Sequence, residues 1–596
     1  MVIWRSAPQD GEVGPWKIGG LLFLLALALR LLFLWATPDA GWSHSAWYKG
    51  DAATWLEWAQ ALQESRPFEA DLPVRPPGAA YLIAALWSGD PRGIVGLKVV
   101  WCLIGALTVI PLYLAARRAF GAGVALAVGL LCSGSTGLMV LSTSLNNETP
   151  YLFVVATSIY LAERLRHGPH SVLLIAWSSL SALACLTRAE HILYFVLVLS
   201  FLQMRWMKAG VERRAPSLRR WLQTLTRAGL AVAVFCAILL PWHLTAWSQI
   251  RRFNGGPQQA DARTEEAQSQ LEQLLAEVSW SGEALAELER MPAATRRTMR
   301  LFISATEAVR GRQGVTAESV EILDEAFGYR PQPLAGHPYV ALYGGLNFYL
   351  ANNSQATDGF SRTVLERPPP LSAGDGRYPL ALVRGLPPPQ LALTYPPHLE
   401  VVNEGYRLGW KWIRDHPEEF ARRAGRKLQV LWRGAALGLG GYNLPLGLAG
   451  TRRQVDLVVP DESIAATAWR SGLLVLILVG AWSGRHNPAM IPWLALLATK
   501  LIVTLAFFGY ARQGATVIPT VALLVCLAAA GALGKTRRVP QVRWQWRLAA
   551  GVALVLLAME VGRFASGPEV TIDGHRIDAE APFAAHDHRD RRVEVE

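Results

Sequence analysis

Apolar runs close to twenty residues long recur along the chain and constrain it more than any other feature. A backbone that leaves water must satisfy its own N–H and C=O groups, so such runs fold as helices spanning about 30 Å of hydrocarbon. They lie near 19–37, 94–116, 122–142, 150–163, 171–187, 190–206, 229–247, 467–483, 489–509, 515–534 and 548–564. The expected fold class is a polytopic α-helical membrane protein with about 11 spans, or about 11–13 if interrupted runs are counted. The stretch 428–449, with an arginine and many glycines, is expected to be interfacial or re-entrant rather than a span.

The formal net charge of +12 fits this reading without nucleic acid as a partner. Basic clusters at 117–118, 163–168, 205–227 and 534–547 sit where the positive-inside rule places cytoplasmic loops. The N-terminus is then cytoplasmic and the acidic tail from about residue 566 is outside. Arg30 and the absence of a charged leading region mark the first run as a retained span rather than a cleaved leader. All five cysteines (Cys102, Cys132, Cys185, Cys236, Cys526) fall inside apolar runs, so no disulfide framework or zinc site is expected.

Four regions follow. Residues 1–247 form an N-terminal transmembrane module with its first external loop at 38–93. Residues 248–466 form a large outward insert between spans seven and eight, mixed helix and loop. Residues 467–565 return to the membrane, and 566–596 are an acidic tail. Within the insert, 258–312 has the periodicity of a solvated helical hairpin, and 406–432 reads as helical, with a new helix starting at Pro417.

This topology gathers unusual charges on the outer face. Asp51 opens an aromatic-faced helix bearing Trp55 and Trp58, and Arg75 leads "RPPGAAY". Glu148 closes "LNNE", Arg188 and Glu190 lie in "LTRAEH", Arg512 in "GYARQG", and Arg30 in the outer part of the first span. Ionisable groups at membrane depth are expensive and tend to face a cavity or a site. A lining of acids and guanidiniums suits a reaction that removes a proton while stabilising a departing phosphate. Each residue also has a plainer role. Asp51 can cap its helix, Glu148 can face a helix dipole, and Glu190 can simply pair with Arg188. Arg75 can anchor at lipid headgroups, and Asn347, Asn352 and Asn353 can form turns.

These motifs, with "LACLTRAEHIL", "LLPWHLTAWSQIRRFN", "GGLNFYLANNSQATDGF" and "HPEEFARRAGRKLQVLW", make the chain resemble the GT-C superfamily of polyprenyl-phosphate-sugar-dependent glycosyltransferases. It is most similar to family 39, the bacterial relatives of protein O-mannosyltransferases and lipid A aminoarabinose transferases. The resemblance covers nearly the whole chain. It departs where relatives often carry an Arg-Tyr-Arg-like stretch, of which only Arg512 remains, and in the enlarged segment 258–312.

The resemblance implies a GT-C-like fold and an inverting transfer with Asp51 as general base and Glu148 as a second catalytic acid. It assigns Arg75, Arg30, Arg188 and Arg512 to the donor's lipid phosphate, and Trp55, Asn347, Asn352 and Asn353 to the substrate loop. The implied partners are a polyprenyl-phosphate-linked sugar donor, an envelope acceptor (lipid, glycan or protein) and membrane lipids. The implied setting is multi-pass in a bacterial inner membrane, with the active site facing the periplasm. No metal ligand set is expected, although a divalent cation stays possible. Rival readings are a transporter or flippase, an O-antigen ligase-like transferase with a diphosphate-linked donor, and an inactive scaffold.

Overall fold

The computed structural model describes residues 14–36, 51–66, 72–208, 218–255, 340–354, 396–437, 464–509 and 511–533, with short pieces elsewhere in the insert and tail. Its first helices are α1 Pro15–Ala36, α2 Ala52–Gln63, α3 Gly78–Leu86, α4 Ile94–Leu107, α5 Val109–Phe120, α6 Ala122–Gly134, α7 Thr136–Thr143, α8 Glu148–Leu165, α9 Ser171–Thr187, α10 His191–Lys208 and α11 Leu218–Gly255. In the insert come α12 Gly282–Glu289, α13 Tyr343–Ala351, α14 Pro396–Asp415 and α15 Pro417–Leu437. The last are α16 Ile464–Gly484, α17 Ile491–Ala506, α18 Ala511–Ala515 and α19 Ile518–Leu533. Extended pairings among the described residues are two or three residues long, such as Pro445–Gly447 against Gln454–Asp456.

The architecture is the helical membrane fold expected. Among the described residues, four helical stretches are long and apolar enough to cross a bilayer: Pro15–Trp35, Pro91–Phe120, Trp221–Arg252 and Pro488–Ala506. A fifth is counted if Ala122–Gly134 and Thr136–Thr143, bent by 50°, act as one span. The bend falls at Ser135, whose extended backbone (φ −67°, ψ 118°) interrupts the run read as continuous over 122–142. Helices such as Ser171–Thr187, Ala468–Gly484 and Ile518–Gly531 are apolar but short. Of the eleven expected spans, 548–564 lies outside the described residues, as do most of the expected hairpin 258–312, the basic loop 534–547 and most of the tail. The stretch read as interfacial or re-entrant continues α15 as helix to Leu437.

Two apolar clusters organise the molecule. The larger joins α1, the helices α4 to α10, and the C-terminal helices α17 and α19 through side chains such as Trp101, Tyr113, Trp177 and Trp493. The smaller joins Val74, Ile250, Leu346, Leu350, Val401, Val402 and Phe508, so it ties the insert helices α13 and α14 to the loops at one end of the bundle. Close backbone approach makes that junction. A Cβ on Gly405 would lie 2.2 Å from Gly345 O, and one on Gly434 would lie 1.8 Å from Ala511 O. The insert is thereby seated on the loop ends at 72–74 and 507–509.

Candidate functional site

Asp51 stands at the N-cap position of α2, yet its side chain makes no capping hydrogen bond. Its backbone N–H donates to Asn146 Oδ1 at 2.8 Å, which fixes the start of the helix from the α7–α8 connection. The carboxylate is left for another partner: Oδ2 accepts from Arg512 Nη1 at 2.8 Å. The capping role open to this residue is therefore not the one its side chain performs.

From Arg512 a chain of alternating charges runs inward. Arg512 Nε lies 3.4 Å from Glu148 Oε1, and the same oxygen accepts from Arg188 Nη1 at 2.6 Å. Arg188 Nε donates to Glu190 Oε1 at 2.6 Å, and Lys500 Nζ donates to that oxygen at 2.7 Å. Three carboxylates thus alternate with three cations. Glu148 heads α8 and Arg188 ends α9, and the two ends are joined by Asn147 Nδ2 donating to Thr187 O at 3.1 Å. Burial would lower the Arg188 pKa, but Glu190 and Glu148 outweigh it and hold the guanidinium charged.

The segment leading to Arg75 pairs with the insert. Leu342 N–H donates to Pro73 O at 2.8 Å and Tyr343 N–H to Val74 O at 3.3 Å, so the segment before Arg75 pairs with the start of α13. The Tyr343 phenol is pushed up by burial first, and it feels the charges of Glu190, Arg188, Arg75 and Asp51 together. The backbone of Tyr343 is thus where α13 meets the first loop. Glycine is required just beyond: a Cβ on Gly78 would lie 2.8 Å from Leu186 O, so only glycine lets the "RPPG" turn close on the end of α9.

The structure brings together Asp51, Glu148, Arg188 and Arg512, but not every expected residue. Arg30 is elsewhere. Its guanidinium donates to Ser142 Oγ at 3.1 Å, Ala26 O at 3.1 Å, Ser133 O at 3.3 Å and Cys132 O at 3.4 Å. It fills the last carbonyls of α6 at the Ser135 bend, whose own helix supplies them no N–H. Trp55 is also not presented to a ligand; it is 2% exposed and packs its ring on Trp58 at 6.1 Å. Asn352 Nδ2 donates to Phe348 O at 2.8 Å and Ala506 O at 2.9 Å, and its Oδ1 accepts from Lys427 Nζ at 3.3 Å. Asn353 Nδ2 donates to Tyr349 O at 2.8 Å and Leu350 O at 3.2 Å, and its carbonyl accepts from Arg423. The Asn352 amide thus ties α13 to α15 and α17, whereas the Asn353 amide closes the end of α13 and its backbone carbonyl meets α15. Asn347 is part-exposed one turn beyond Tyr343 on the same helical face.

Three residues of the site escape motif reading. Lys500 is 0% exposed within an apolar run, and a lone ammonium there is the signal that marks it. Asn146 opens the "NNE" run, where the acid two places on draws the attention. Tyr343 carries no local signal, because only the long insert brings it back to the first loop.

Among the described residues no three His, Cys, Asp or Glu side chains group as metal ligands. The three carboxylates of the array each face a guanidinium or an ammonium, an arrangement that does not fit a divalent cation as it stands. The array offers a carboxylate next to guanidiniums. A carboxylate can accept a proton, and guanidiniums match a phosphate through paired N–H donors.

Comparison with known proteins bears on this arrangement. Residues 74–242 match the family model for dolichyl-phosphate-mannose-protein mannosyltransferases. The match is to a GT-C family. It takes in Arg75, Glu148 and Arg188, and ends within α11. No curated protein matches the chain. Among solved structures, the apo oligosaccharyltransferase of Archaeoglobus fulgidus aligns at 14% identity and a TM-score of 0.42, over 94% of this chain and 57% of that one. The chain thus spans little more than half the length of that relative. AglB from the same organism, with an inhibitory peptide and a dolichol-phosphate, aligns at 13% identity and 0.39, over 93% and 56%. ArnT from Cupriavidus metallidurans, bound to undecaprenyl phosphate, aligns at 15% identity and 0.29, over 85% and 77%.

Proposed function

We propose that this chain is an inverting membrane glycosyltransferase that moves a sugar from a polyprenyl-phosphate donor to an envelope acceptor at the periplasmic face of a bacterial inner membrane. The observation that carries the reading is the Asp51 carboxylate held against the Arg512, Glu148 and Arg188 array at one end of the bundle. The family match over 74–242, to transferases named for dolichyl-phosphate-mannose, supports a donor with a single lipid phosphate.

In this reading Asp51 accepts the proton of an acceptor hydroxyl or amine. The acceptor atom bonds to the anomeric carbon as the bond from that carbon to the phosphate oxygen breaks, and the lipid phosphate leaves with its electron pair. Arg512 and Arg75 stabilise the departing charge, and fixed cations aimed at developing charge supply much of an enzyme's rate. Arg188 and Lys500 act behind them, through Glu148 and Glu190. The insert, seated through α13 and α14, covers the pocket and selects the acceptor.

Mass spectrometry of envelope lipids, glycans and proteins tests this in a deletion strain complemented by the wild type or by Asp51→Asn. The expected result is one modified species lost in the deletion strain, restored by the wild type and missing with Asp51→Asn. A species restored equally by Asp51→Asn rejects the base assignment, and a profile unchanged by the deletion rejects the transferase reading. Transfer by purified protein from a synthetic polyprenyl-phosphate sugar separates an enzyme from a transporter.

A further inference from the structure

The cation that would receive the donor phosphate is bonded to the base that must act on the acceptor. Arg512 Nη1 lies 2.8 Å from Asp51 Oδ2 and Arg512 Nε lies 3.4 Å from Glu148 Oε1, so one guanidinium bridges both acids. A carboxylate held by a guanidinium accepts a proton less readily than a free one. Two fully buried polar atoms beside this bridge, Asn146 Nδ2 and Glu148 Oε2, have no hydrogen-bond partner among the described residues. Such buried groups are rare in native structures and call for a partner or a role in function. Glycines on either side of Arg512 pack closely on α15: a Cβ on Gly509 would lie 2.4 Å from Lys427 O, and one on Gly514 would lie 1.9 Å from Leu431 O. The guanidinium, at the end of a long side chain, is the part of Arg512 most able to move.

We infer that Arg512 is a donor-operated latch on Asp51. In the closed arrangement the guanidinium occupies the carboxylate. When the lipid phosphate enters, its negative charge draws the guanidinium off, and Asp51 is released to face the acceptor. Donor must then bind before acceptor, and the base stays masked while no donor is present, which guards against abortive chemistry. This rests on the proposed donor chemistry and adds a positioning role for Arg512 over Asp51.

The test uses the full-length chain in lipid nanodiscs, with undecaprenyl phosphate, which carries the lipid phosphate without a sugar, as the probe. Infrared difference spectra of the wild type minus Asp51→Asn isolate the stretching band of the Asp51 carboxylate. The expected result is that the lipid phosphate moves this band to where it already lies in Arg512→Gln, and that the lipid produces no further movement in that variant. Should Arg512→Gln not fold, Arg512→Lys carries the same test: its shorter point charge cannot bridge both acids, and the lipid leaves its band in place. Measured binding of undecaprenyl phosphate with an unmoved wild-type band overturns the latch while sparing the donor reading. Absence of binding at millimolar lipid phosphate overturns both.

Discussion

Arg512 Nη1 and Asp51 Oδ2 meet at 2.8 Å although 461 positions separate them in the chain. The contact joins the start of α2 to the short helix α18, across the whole insert. Asp51 is 24% and Arg512 13% exposed at the side chain, so the pair is partly hydrated.

Asp51→Asn should therefore separate stability from activity. Losing a partly hydrated ion pair costs about 1 kcal/mol, whereas losing a general base costs about 10²–10⁴-fold in rate. Thermal unfolding in detergent should move by only a few degrees while transfer falls by at least about a hundredfold. A large fall in both would assign Asp51 to the fold instead.

Glu148→Gln should behave in the opposite way. This carboxylate is 0% exposed and lies between Arg188 and Arg512. Neutralising it leaves two guanidiniums facing each other without their shared anion, and breaking a buried pair costs about 3–5 kcal/mol. The melting temperature should drop clearly. Adding Arg188→Gln should restore part of the loss, since one of the two facing guanidiniums is then removed while Glu190 keeps Lys500. A double variant that melts lower than Glu148→Gln alone would contradict the pairing.

Arg30→Met is expected to damage the fold and spare the donor. The guanidinium serves Ser142 and three carbonyls near the α6–α7 bend, and a Cβ on Gly105 would come within 3.2 Å of its Nε, so the pocket is built around it. Unmet hydrogen bonds at a buried bend cost about 1–3 kcal/mol each. The surviving folded fraction should bind undecaprenyl phosphate with unchanged affinity. A loss of at least about tenfold in affinity would return Arg30 to the donor site.

Arg30 also shows where sequence reasoning stops. Hydropathy and loop charge make the class of fold legible, because bilayer thickness and unsatisfied backbone groups leave few alternatives. They also place Asp51, Glu148, Arg188 and Arg512 on one face, where the structure joins them. Depth alone makes Arg30 look the same, since a chain gives no sign of whether an intramembrane guanidinium points at a cavity or at a broken helix. The bend that answers this is marked only by the Gly134–Ser135 pair, which hydropathy alone passes over. Asn352 and Asn353 look like ligand amides for a similar reason. Their partners, Lys427, Arg423 and Ala506 O, come from distant helices, and no local periodicity announces them.

A pH dependence follows from one of those partners. Burial first, and then Arg423 nearby, push the Lys427 ammonium down from 10.5 to about 8. A base whose pKa is lower folded than unfolded binds fewer protons in the native state between those values. Stability therefore rises as pH climbs from about 8 to 10.5, by at most about 1.4 kcal/mol per pH unit. The measurement is the wild-type unfolding free energy minus that of Lys427→Met across this window. The difference should grow with pH, and a flat one would place Lys427 in a more polar setting.

Two glycines of α15 give the final contrast. Gly425 is exposed in the helix interior, and a Cβ there would meet no described atom within 4 Å, while a Cβ on Gly434 would lie 1.8 Å from Ala511 O. Gly425→Ala removes backbone freedom from the unfolded chain and should stabilise by about 0.5–1 kcal/mol, leaving transfer unchanged. Gly434→Ala must push α15 and α18 apart, and the residue displaced along with Ala511 is Arg512. Transfer should then fall further than stability does, with a raised KM for the lipid donor as its signature. Equal effects of the two substitutions on transfer would mean that the seat of α18 on α15 does not hold Arg512 in place.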